Sequence, residues 1–257
     1  MSRIAEAFEQ GSTFVGFVTG GDPSIARSEE YILAMIDAGA DLIEIGIPFS
    51  DPVAEGPVIQ EANLRALAAG TTVDTLFDLV RSLREKTEVP LVFLTYLNPV
   101  HHYGYERFFA ACQEAGVDGI IIPDLPYDEK DELAGVAATH EVALISLIAP
   151  TSEGRIRAIA RDATGFIYLV SSLGVTGVRT NISTDLEAIV KTIREVTEVP
   201  VAIGFGVHTP EQAQTLAQVA DGVIVGSAIV KIIAADPDTA SSKLHRYVSE
   251  LKRAMMR

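Results

Sequence analysis

A glutamate set inside an apolar run is the first residue of this chain that demands a chemical explanation. Glu44 stands in Leu42-Ile43-Glu44-Ile45-Gly46-Ile47, and a carboxylate within a buried strand is costly unless it is partnered or used. Burial raises the pKa of such a group, which suits it to act as an acid near neutral pH. The stretch that follows, 46–63, reads as a long, proline-broken, acidic loop with Asp51 and Glu55 in it. Exposed loop acids mostly serve solvation, so these two gain a role only from their context. Later glycines carry a second signal: Ser-Ser-Leu-Gly-Val-Thr-Gly at 171–177, Gly-Phe-Gly-Val-His-Thr-Pro-Glu-Gln at 204–212 and Gly-Ser-Ala-Ile-Val-Lys at 226–231. Glycines let backbone N–H groups approach an anion. Thr209-Pro210-Glu211-Gln212 reads as an N-cap, a proline at the first helical position and a capping box, and Ser227 opens a further helix. Helix N-termini and amide nests hold phosphate without net positive charge, so an anionic ligand is compatible with a formal charge of -15. The same glycines could instead serve only tight turns between strand and helix. Taken together, the residues suggest carboxylate acid–base chemistry on a phosphorylated small molecule.

Other chemistries find little support. The five histidines (His101, His102, His140, His208 and His245) form no H-E-x-x-H or i,i+4 pair, so no metal site is expected. The one cysteine, Cys112, fills an apolar helix face in Phe-Phe-Ala-Ala-Cys and leaves no disulfide to form. There is no G-x-S-x-G and no Walker A sequence. Lys231 reads as a surface lysine with a buried stem rather than a Schiff base.

These residues need a frame to bring them together. Eight apolar runs recur, at 14–19, 42–47, 90–96, 119–123, 143–148, 165–170, 200–205 and 222–227, rich in Val, Ile and Leu. Such runs suit parallel strands covered on both faces. Between them lie amphipathic stretches such as Glu-Glu-Tyr-Ile-Leu-Ala-Met-Ile-Asp and Asp-Leu-Glu-Ala-Ile-Val-Lys-Thr-Ile-Arg. The strand entries repeat: AGADLIEIG, AGVDGIIIP and VADGVIVGS share one pattern. Eight strands alternating with helices over 257 residues predict an α/β fold, a single (β/α)8 TIM barrel domain spanning 1–257, with an extra N-terminal helix across its bottom. An open doubly wound sheet is the competitor, but its G-x-G-x-x-G fingerprint is missing after the first strand. With 35 acidic against 20 basic residues, nucleic acid and anionic membrane are poor partners. No run suits a membrane span and the first ten residues hold no apolar signal core, so a cytoplasmic location is expected.

Glu44 and the segment Ile45-Gly46-Ile47-Pro48-Phe49-Ser50-Asp51-Pro52, with TGGDP, LTYLNPV, IIPDLP, YLVSSLGVTG, GFGV and GSAIVK in this order, resemble the tryptophan synthase α chain from about Phe14 to Ile233. The resemblance implies a carbon–carbon lyase that cleaves indole-3-glycerol phosphate to indole and glyceraldehyde 3-phosphate. It makes Glu44 and Glu55 the catalytic carboxylates, and Phe17, Thr19, Tyr96, Tyr168, Thr176, Gly177, Phe205, Gly206, Gly226 and Ser227 the substrate-binding residues. Asp51 and Asp124 match loop-ordering acids, and 171–181 matches a lid. Members mostly read S-D-P-x-A-D-G-P, whereas this chain has Glu55 in place of the second aspartate. The extra methylene could displace the carboxylate by about 1 Å. A near-inert binding subunit is therefore an alternative reading, against which the otherwise complete set of matches favours the lyase. A stand-alone indole-releasing lyase with no partner is a third reading, which co-elution with a β chain rather than the sequence separates from the partnered one. The resemblance implies no cofactor on this chain. It implies a β chain that carries pyridoxal phosphate, in a heterotetramer of two α and two β chains.

Overall fold

The computed structural model describes residues 2–170, 182–204 and 206–256. Eight strands close into a barrel in chain order, each parallel to its neighbours, with the last paired to the first. They are β1 (Thr13–Thr19), β2 (Leu42–Gly46), β3 (Leu91–Leu94), β4 (Gly119–Ile121), β5 (Ala143–Ile148), β6 (Ile167–Val170), β7 (Val201–Gly204) and β8 (Gly222–Val225). The α-helices found among the described residues are α1 (Arg3–Glu9), α2 (Ile25–Asp37), α3 (Pro57–Ala68), α4 (Val73–Arg84), α5 (Leu97–Tyr103), α6 (Tyr105–Ala115), α7 (Asp131–Thr139), α8 (Glu153–Arg161), α9 (Ile182–Arg194), α10 (Pro210–Ala217), α11 (Ser227–Ala235) and α12 (Ala240–Met255).

Strand alternation sorts the core into two layers. Ile43 and Ile45 of β2 and Phe14 and Val18 of β1 pack outward into the cluster shared with the helices. Val15, Leu42, Val92, Ile121, Ile145, Phe166, Ala202 and Ile224 fill the barrel interior. The expected N-terminal helix is α1: its Ile4 is buried among those interior residues and Phe8 packs beside it, closing the bottom.

The repeated entry pattern has a structural cause. Its aspartate precedes β2, β4 and β8, and each time it accepts an N–H from the neighbouring strand. Asp41 accepts from Phe14 at 2.6 Å, Asp118 from Leu91 at 2.8 Å and Asp221 from Val201 at 2.9 Å. A cation completes each clamp: Lys252, Arg84 and Arg194 respectively. Charge-assisted bonds of this kind satisfy strand-end amides that no further residue reaches.

One boundary differs from expectation. The 46–63 stretch is loop only as far as Gly56, because Pro57 starts α3 at its first helical position. Proline fits there, since the missing N–H has no intrahelical partner to lose. Two apolar runs likewise outlast their strands: Tyr96 is the N-cap of α5 and Ser227 the first residue of α11.

Candidate active site

Glu44 lies on the interior face of β2, between Leu42 and Gly46 in the alternation and opposite Phe17 of β1 and Val92 of β3 in register. It is 1% exposed and its Oε1 has no hydrogen-bond partner. Burial pushes its pKa up to about 8, so the carboxyl is protonated at neutral pH. The sequence neighbours Ile43 and Ile45 do not cause this, because both face the helices. The desolvation comes from the closed interior of the barrel.

Tyr168 of β6 lies within the field of Glu44: its hydroxyl pKa is raised by burial first and by the Glu44 charge second. The ring crosses directly over Gly204 of β7. A Cβ built on Gly204 would lie 2.5 Å from the Tyr168 oxygen and 2.7 Å from its Cζ, so only glycine leaves room for the ring. Phe17 closes the opposite wall with Ile59, Ala62 and Val230, its ring against the backbone of Gly46. Thr19 caps the same side, 2% exposed with its Oγ1 unpartnered.

Glu55 ends the loop after β2. Asn63 of α3 donates its Nδ2 to Glu55 Oε2 at 2.7 Å, and Gln60 donates to the Glu55 carbonyl at 2.8 Å. Tyr96 accepts the N–H of Ala54 at 3.1 Å, and its hydroxyl also favours the charged form of Glu55. Burial outweighs both side-chain bonds, so the Glu55 pKa is raised. The Tyr96 phenol is itself pushed to about 12, chiefly by burial. A cavity of about 540 Å³ opens here, lined among others by Glu55, Leu94, Ile122, Leu147 and Tyr168. Asp124 accepts the N–H of Leu97 at 2.9 Å, tying the loop after β4 to the start of α5. Asp51 is exposed, bonded by the adjacent Ser50 at 2.5 Å, and does not line the cavity.

At the ends of β7 and β8 two helix starts differ. α10 carries the expected capping box: Thr209 accepts the Gln212 N–H and Gln212 accepts the Thr209 N–H in return. Gln212 also accepts the His208 N–H at 2.9 Å, so these donors are already engaged. α11 has Gly226 as its N-cap with no side-chain cap, followed by exposed Ser227. Its first N–H groups are the better anion donors. Gly206 has φ +81°, a left-handed conformation suited to glycine. Thr176, Gly177 and Phe205, and the expected lid 171–181, lie outside the described residues.

The model of the family described as tryptophan synthase alpha chain matches residues 4–256. Among curated relatives, the tryptophan synthase alpha chain of Lactiplantibacillus plantarum is 51% identical over 256 residues, 99% of this chain and 97% of that one. The alpha chain of Lacticaseibacillus casei is 48% identical over 255 residues, 99% and 96% of the two chains. The chain belongs to the tryptophan synthase alpha chain family. Among solved structures, the alpha subunit of Legionella pneumophila superposes with a TM-score of 0.91 at 35% identity, covering 100% of this chain and 99% of that one. A chain of the tryptophan synthase of M. tuberculosis in an aminoacrylate-bound form gives 0.88 at 30% identity, covering 99% and 100%.

The activity of a tryptophan synthase alpha chain is the cleavage of indole-3-glycerol phosphate, a carbon–carbon lyase step of tryptophan biosynthesis. Two residues around its site escaped the sequence reading. In the sequence, Asn63 falls at the end of the apparent 46–63 loop, and Gly204 is one anion-approach glycine among several. A signal for Asn63 exists: in α3 it shares a buried face with Ile59, Ala62 and Ala66, where a polar residue needs a partner. His101, His102, His208 and His245 are exposed, and His140 at the end of α7 bonds Gln113 and Glu106. Cys112 is buried in α6. Among the described residues no group of three or more His, Cys, Asp or Glu is placed to hold a metal ion, and no helix is long and apolar enough to cross a membrane.

Proposed function

We propose that Glu44 is the acid and the base of the cleavage, and that Glu55 holds the indole N–H. The observation that carries this reading is the buried Glu44 carboxyl, unpaired at Oε1 and protonated up to about pH 8. Its proton goes to indole C3, which turns the ring into an electron acceptor. The resulting carboxylate then takes the proton of the glycerol hydroxyl as a carbonyl forms. The C3–glycerol bond breaks, its electron pair restores the indole, and the aldehyde leaves as glyceraldehyde 3-phosphate. A Glu55 carboxylate at the indole nitrogen stabilises the positive charge that appears there after C3 protonation. Tyr168 orients Glu44. Phe17, Thr19 and Tyr96 border the indole and glycerol moieties, with Thr176 and Phe205 carried over from the resemblance. Gly206, Gly226 and Ser227, with Gly177, take the phosphate, and Asp51 and Asp124 order the loops.

In this reading no cofactor resides on this chain. The partner is a tryptophan synthase β chain carrying pyridoxal phosphate, in a heterotetramer of two α and two β chains in the cytoplasm. The test is indole release from indole-3-glycerol phosphate by purified protein, with and without a β chain. The expected result is slow release alone and much faster release with the β chain. Fast release alone would remove the partner from the reading. No release under either condition, with β-chain activity still stimulated, would mark a binding subunit that lacks the chemistry.

Ser227→Asp tests the phosphate site. A carboxylate at the start of α11 puts like charges together, so KM should rise at least about tenfold with kcat changed less. Steady-state kinetics giving an unaltered KM would remove Ser227 from the site.

A further inference from the structure

Position 55 carries a glutamate that is held at both its backbone and its carboxylate. Three contacts hold the residue: Asn63 Nδ2 on its Oε2 at 2.7 Å, Gln60 on its carbonyl at 2.8 Å, and the Tyr96 hydroxyl near its carboxylate. Gln60 fixes the backbone from which the side chain departs. Asn63 fixes where the side chain ends. Asn63 is 3% exposed, on a helix face otherwise made of Ile59, Ala62 and Ala66, so it has little freedom to follow a shorter partner. That helix is itself anchored: Arg65, two residues on, makes a two-pronged bond to the buried Asp22 after β1, at 2.8 and 2.7 Å. A carboxylate has about four acceptor sites, so a bond to Asn63 leaves capacity for an indole N–H.

We propose that Asn63 is a positioning residue for the lyase reaction, and that the combined reach of the side chains at 55 and 63 places the carboxylate that receives the indole N–H. This inference rests on the role given above to Glu55. In this geometry a glutamate at 55 is adapted rather than impaired. Shortening residue 55 by one methylene breaks the bond to Asn63, and lengthening residue 63 by one methylene restores it.

The experiment is a length-exchange cycle on the full chain assayed with a β chain, comprising Glu55→Asp, Asn63→Gln, the double variant, Asn63→Ala and Glu55→Gln. Expected are kcat losses of about 10- to 100-fold for Glu55→Asp, Asn63→Gln and Asn63→Ala, with KM changed less than threefold or so. The double variant should recover to within about threefold of the parent, far above the product of the two single losses. A merely structural Asn63 would instead lower thermal stability without this crossed recovery, and that result overturns the proposal. So does an Asn63→Ala variant with parental kcat. Glu55→Gln separates the two readings. If it keeps parental turnover, the role of Glu55 itself fails; if it is inactive while Asn63→Ala is not, only the positioning role fails.

Discussion

Glu44→Gln is expected to lower kcat for indole release by about 10²–10⁴-fold, the range for losing a general acid–base group, while making the protein more stable at alkaline pH. The two effects share one cause. The Glu44 pKa is about 8 in the folded chain, against an ordinary value of 4.5, because burial penalises its charged form. Below pH 4.5 both states keep the proton and the group has no pH-dependent effect. As pH rises from 4.5 to 8, the unfolded chain releases the proton and the folded chain retains it, so stability falls across this window. The full loss is roughly 5 kcal/mol at the upper limit, from 1.36 kcal/mol per pH unit. Glutamine does not titrate, so its variant escapes that loss. It does carry an unsatisfied amide at every pH, a cost of about 1–3 kcal/mol. Denaturant unfolding at pH 4.5 and pH 8.5 should therefore show the difference between variant and parent growing in favour of the variant. A constant difference would mean that Glu44 is ionised in the folded chain. Near-parental turnover would remove Glu44 from the chemistry.

Gly204→Ala is the second large effect, expected to reduce kcat by about 100-fold although residue 204 bears no reactive group. Its new Cβ would meet the Tyr168 ring at 2.5–2.8 Å, distances that the ring can relieve only by moving. Tyr168 borders both the cavity and the field of Glu44, so a displaced ring disturbs the cavity and the proposed acid together. Overpacking of this kind costs about 1–3 kcal/mol, small enough for the barrel to survive. Kinetics beside a thermal melt make the check. A folded variant with unchanged kcat would show that the Tyr168 position is irrelevant to turnover, whereas Tyr168→Phe tests the hydroxyl alone.

Much of this arrangement is written in the chain. The eight strands, the bottom helix α1 and the capping box of α10 follow from apolar runs and turn chemistry. The side on which Glu44 lies does not, because β2 is apolar on both faces and alternation is invisible there. Only closure of the barrel assigns residue 44 to the interior. Pro57 reads equally as a breaker or as a helix start, and choosing the first hides α3 and with it Asn63. Gly204 shows a different limit: its reason is a ring from a strand more than thirty residues earlier, and no local pattern encodes that approach. The repeated aspartates were visible as a motif, but their clamps on neighbouring strands were not.

The closed barrel also has a consequence on the ribosome. β1 needs two neighbours, and the second, β8, begins about 200 residues later. At ~5–20 residues per second, the emerging chain carries an open strand edge for about 10–40 s. Lys252, which completes the Asp41 clamp beneath β1, arrives later still. The nascent protein thus stays exposed to aggregation at this edge until β8 and the helix carrying Lys252 have emerged.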